Sequence, residues 1–130
     1  MDVLGRQSPN ILNTFKMPRA LIIVHTAPDA PDCRALTALR LAGAMLAEDK
    51  DVELFLVEDG ARLADPNLSE GNPCRALFYE LMGAGLKVQV CSGTLRKFGW
   101  DDGYPLPGVM KSSMKGLSAL ISEADEIVGF

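Results

Sequence analysis

Short, β-branched apolar runs alternate with stretches of helical periodicity along this chain, and that alternation restricts its fold more than any other feature. Residues 20–25 (ALIIVH), 52–57 (VELFLV) and 87–91 (KVQVC) read as strands, the first of them apolar enough to be buried on both faces. Between them, residues 34–48 place Leu36, Leu39, Leu41, Ala42, Met45 and Leu46 at helical spacing. Residues 74–82 repeat that spacing and stop at Gly83 and Gly85, residues suited to a left-handed cap. Beyond Cys91 the pattern predicts one or two helical turns over 94–98, an irregular stretch over 99–107 and a short strand over 109–111. A last helix over 114–124 and a fifth strand over 126–130 follow.

Strands joined through helices run parallel, and right-handed crossovers distribute the helices over both faces of the sheet. The expected architecture is an α/β domain with a mostly parallel, five-stranded sheet. Its 130 residues suffice for one core and leave no room for a second. The domain is expected to span residues 20–130, with residues 1–19 as an N-terminal extension.

Several classes of function are disfavoured at this level. A net charge of −4 without a cluster of Lys and Arg argues against direct contact with nucleic acid or an acidic membrane. No apolar run is long enough to cross a bilayer, and residues 1–19 lack the pattern of a secretory signal, so a cytoplasmic location is the default. Three cysteines, Cys33, Cys74 and Cys91, are an odd number without a paired C-x-x-C element, which predicts free thiols and no structural metal. No dinucleotide-binding glycine loop follows the first strand, and no cofactor is expected.

In open parallel sheets, ligands gather at the carboxyl ends of the strands. His25, the Glu58-Asp59-Gly60 turn and Cys91 all fall at such ends. Cys91 stands where a strand hands over to Ser92-Gly93-Thr94, and amides at a helix start favour a thiolate. The bland reading, a small buried apolar residue, is about as common for a free cysteine. Arg96 encloses only four residues with Cys91, one short of the phosphatase cradle, so phosphatase chemistry is not expected. Arg96 could still bring positive charge toward the thiol. His25 could polarise a thiol, although a lone strand-end histidine is more often structural. Glu58 and Asp59 read first as turn residues, and Trp100 as an interface residue.

The segment from Val88 through Cys91-Ser92-Gly93-Thr94 to Gly99 resembles the cysteine segment of DsrE/DsrF-like proteins, which include the TusD-type sulfur-relay subunits. Residues 39–46 followed by 52–60, and residues 117–130, are similar to that family's first helix, second strand with its Asp-Gly turn, and closing helix and strand. The resemblance implies a three-layer α/β/α subunit, assembled as a trimer or hexamer, that carries sulfane sulfur as a persulfide on Cys91. It implies sulfur donor and acceptor proteins as partners. Ser92, Gly93, Thr94, Arg96, His25, Asp59 and Gly60 would border the substrate, and Cys33 is a possible relay thiol. A different class of function is a non-catalytic oligomeric module that binds a small anion or ligand in the same cleft.

Overall fold

The computed structural model describes residues 17–130. Most of the expected N-terminal extension, residues 1–16, lies outside the described residues. Five strands, β1 (Arg19–Val24), β2 (Asp51–Leu56), β3 (Lys87–Cys91), β4 (Val109–Ser112) and β5 (Glu126–Gly129), form one sheet in the order β4-β3-β2-β1-β5. Every pairing is parallel, so the expected mostly parallel sheet is parallel throughout. Among the described residues four α-helices accompany it: α1 (Arg34–Ala47), α2 (Pro73–Gly83), α3 (Ser92–Phe98) and α4 (Met114–Glu123). A 3-10 turn over Glu58–Ala64 replaces the simple turn expected after the second strand.

The strand order dictates where the helices lie. From β1 to β4 the chain steps in one direction across the sheet, and right-handed crossovers keep α1 and α2 on one face. The β4-to-β5 connection travels back across the whole sheet, so the same handedness sends α4 to the opposite face. The result is the three-layer α/β/α arrangement that the alternation predicts.

Strand periodicity sorts the core accordingly. Ala20, Ile22 and Val24, with Val52, Leu54, Leu56, Val88 and Val90, pack under α1 and α2 together with Leu39, Phe78 and Leu81. Helices α1 and α2 approach closely: a Cβ on Gly43 of α1 would stand 3.3 Å from the Leu81 Cδ2 of α2. The other face carries Leu21, Phe55, Val57 and Cys91, with Ile23, Leu117, Leu120 and Ala124 packed against them. Full burial of Phe55 contributes about 2–3 kcal/mol there.

The two faces are covered unequally. Helix α4 has no buried residue, and Met114 and Ile121 on it are exposed, as are Met110 of β4 and Ile127 of β5.

Candidate functional site

All five strands point the same way, so their carboxyl ends line one edge of the sheet, and the candidate residues from distant parts of the chain meet there. Ile23, His25, Val57, Glu58, Cys91, Gly93, Thr94, Met114 and Leu117 line a pocket of about 540 Å³. That is within the range of small-molecule sites. Its walls come from the less covered face and from the amino end of α4, and the Cys91 thiol stands in its floor, 8% exposed.

Cys91 ends β3 and is the N-cap of α3, with extended backbone and no side-chain capping bond. Its thiol is therefore not spent on the helix start. A Cβ placed on Gly93 would lie 3.7 Å from the Cys91 Sγ and 3.8 Å from Nη2 of Arg96, so the thiol and the guanidinium flank the same bare spot. The glycine leaves that spot open to a third atom.

The pocket's rim is fastened by polar contacts. Glu58, held at φ 50°, donates its backbone N–H to the Thr94 Oγ1 at 2.9 Å, and its carboxylate pairs with Lys97 Nζ at 2.5 Å. This pair holds the Lys97 ammonium above the usual lysine range. Gly60 N–H donates to both the His25 and Val57 carbonyls, and His25 N–H donates to the Phe130 carbonyl at 2.7 Å.

The sequence candidates divide as follows. His25, Cys91, Gly93 and Thr94 meet at the pocket, Arg96 stands beside Gly93, and Ser92 follows Cys91 in the chain without lining the pocket. Asp59 is exposed and off the lining, and Gly60 is buried against the β1 backbone, where it acts in packing. Glu58, read from sequence as a turn residue, lines the pocket, and Met114 and Leu117 were not singled out at all.

Cys33 and Cys74 lie at the starts of α1 and α2, on the opposite side of the sheet from Cys91. Trp100 is half-buried in a stack with Phe98 and Tyr104, at centroid distances of 5.1 and 4.7 Å, which is a packing role. Tyr104 donates to Asp65 at 2.7 Å and accepts from Asn67, and the Asp65 contact moves its phenol above the usual range. Among the described residues no group of three or more His, Cys, Asp or Glu side chains is arranged to hold a metal ion, and no helix is long and apolar enough to cross a membrane.

An all-parallel α/β/α sheet with a cysteine in a strand-end pocket defines the class of fold and site. The chain belongs to the DsrE/DsrF-like family, whose sequence profile matches residues 19–130. An uncharacterized protein of Methanocaldococcus jannaschii is 31% identical over 111 residues, covering 84% of this chain and 96% of the relative. One of Methanopyrus kandleri is 29% identical, covering 84% and 91%. Among solved structures, the ychN protein from E. coli superposes with a TM-score of 0.78 at 22% identity, covering 88% of this chain and all of that one. A protein from Methanobacterium thermoautotrophicum gives 0.70 at 20% identity, covering 87% and 99%.

Proposed function

We propose that this protein is a sulfur carrier that holds sulfane sulfur on Cys91 and passes it to a partner. The observation that carries the reading is the placement of the Cys91 thiol in the floor of a pocket, with the open spot over Gly93 between it and Arg96. Family membership points to a sulfur-relay role.

In the loading step the Cys91 thiolate attacks the outer sulfur of a donor persulfide. The new bond joins Sγ to that sulfur, the donor S–S bond breaks, and the electron pair leaves with the donor thiolate. Arg96 and the amides following Cys91 hold the anionic terminal sulfur, while the apolar walls keep water from it. Unloading is the same displacement run toward an acceptor thiolate. His25, which lines the same pocket, borders the sulfur in this reading.

The incompletely covered face, with Met110, Met114, Ile121 and Ile127 exposed, supports assembly into a homo-oligomer of three or six chains. Donor and acceptor proteins then meet the pocket from the strand-end edge, in the cytoplasm.

The test is intact mass after incubation with a persulfide donor, before and after reductant, for wild type and Cys91→Ser, Cys33→Ser and Cys74→Ser. A reducible gain of one sulfur, lost in Cys91→Ser and kept in the other two, is expected. No gain in wild type, with Cys91 resistant to alkylation, would overturn the carrier reading in favour of a non-catalytic module binding a small anion or ligand.

A further inference from the structure

The two cysteines that the carrier reading leaves unused share one corner of the molecule. Helices α1 and α2 lie on the same face and follow parallel strands, so both begin at the carboxyl edge of the sheet. Cys33 is the N-cap of α1 and Cys74 lies in the first turn of α2. Both thiols rest on carbonyls of one short loop, Cys33 Sγ on Pro31 O at 3.8 Å and Cys74 Sγ on Pro28 O at 3.9 Å. Asn72 ties the same Pro28 carbonyl to the start of α2 at 3.1 Å.

Local preference does not explain Cys33. It sits at φ 57°, ψ 24°, a left-handed conformation disfavoured for a side-chain-bearing residue, and it makes no capping bond at a position suited to Ser, Asp or Asn. Cys33 is exposed, whereas Cys74 is fully buried. Burial raises the Cys74 thiol above its ordinary range, and the neighbouring Cys33 charge raises it further, as expected of two thiols that feel each other.

We propose that Cys33 and Cys74 form a reversible disulfide that clips the start of α1 to the start of α2 when the protein meets a low-molecular-weight disulfide. The accessible partner reacts first. The Cys33 thiolate attacks one sulfur of the small disulfide, forming a mixed disulfide and expelling one thiolate. Cys74 then loses its proton to solvent as the Pro28–Pro31 loop moves, and attacks the Cys33 sulfur, expelling the second thiolate. The two cysteines are oxidised by two electrons and the small disulfide is reduced to two thiols. The site is separate from Cys91, and its failure would leave the carrier reading untouched.

The experiment uses the full chain with Cys91→Ser, equilibrated with oxidised and reduced glutathione at varied ratios, quenched in acid, alkylated and mapped by peptide mass. A peptide pair joined through Cys33 and Cys74 is expected, together with a higher urea midpoint for the oxidised protein. Adding Cys33→Ser, an exposed change, should abolish the link and the midpoint shift and leave Cys74 as a free thiol across the series. Arrest at a Cys33 mixed disulfide with Cys74 still free would overturn the proposal, as would modification of Cys74 in the folded Cys33→Ser protein.

Discussion

The backbone amide of Glu58 donates to the side-chain hydroxyl of Thr94 across 2.9 Å, joining the loop after β2 to the helix after β3. The bond holds Glu58 at φ 50°, a conformation that a glutamate adopts only under external constraint. Thr94→Val keeps the shape of a buried side chain and deletes the acceptor. The stranded amide should cost about 1–3 kcal/mol, read as a lower urea midpoint. Alkylation of Cys91 should accelerate in the same variant, because the rim that shields the thiol is loosened.

Gly60 is required by space rather than by backbone torsion. A Cβ there would stand 2.7 Å from the Val24 carbonyl carbon and closer still to its oxygen, and that atom belongs to β1, an interior strand of the sheet. Gly60→Ala should destabilise by about 1–3 kcal/mol and displace the loop bearing Glu58. Thermal unfolding and Cys91 alkylation together check this, and an unchanged melting temperature would refute it.

Glu53 lies on the less covered face, hydrogen-bonded by Gln89 Nε2 at 3.0 Å, and burial lifts its carboxyl above the ordinary glutamate range despite that bond. A raised folded-state value means the native protein binds the proton more tightly than the unfolded chain. Its destabilising effect is therefore absent below the unfolded value, grows as pH rises toward the folded value, and persists in full above it. Glu53→Gln, which still offers an oxygen to Gln89, should be more stable than wild type at neutral pH and indistinguishable from it in acid. Urea unfolding across pH 3 to 7 measures the difference.

Asn72 caps α2 by accepting from Cys74 N–H at 2.8 Å and also donates to Pro28 O. Asn72→Ala removes both bonds and should cost about 1–2 kcal/mol. Because the second bond holds the loop over Cys74, native-state alkylation of Cys74 should accelerate by more than the loss of global stability explains.

The order of strands and helices was legible because each element carries its own period: residues 87–91 were bounded as the structure bounds them, and the other ends agree or differ by one or two residues. Arg19 and Asp51 joined their strands because ladder pairing, here Arg19 with Asp51, extends past the apolar run. The 3-10 segment was not legible, since it depends on Gly60 fitting against Val24 and on Thr94, a residue 36 positions from Glu58. Parallel topology alone brings His25 and Cys91 to one edge, where both line the pocket. Which of the two adjacent acids borders the pocket was a matter of torsion at Glu58, and no periodicity encodes that.

Strand β5 closes the sheet beside β1, with Ile23 O accepting from Phe130 N–H at 2.8 Å and Phe130 O accepting from His25 N–H. The ladder β1-β2-β3 can assemble from residues 19–91, but the edge next to His25 waits for residues 126–130. On the ribosome, the pocket strand would therefore stay unpaired on one side until residues 126–130 have emerged. That interval exposes an unpaired strand edge to chaperone capture, and slow long-range closure should set the refolding rate.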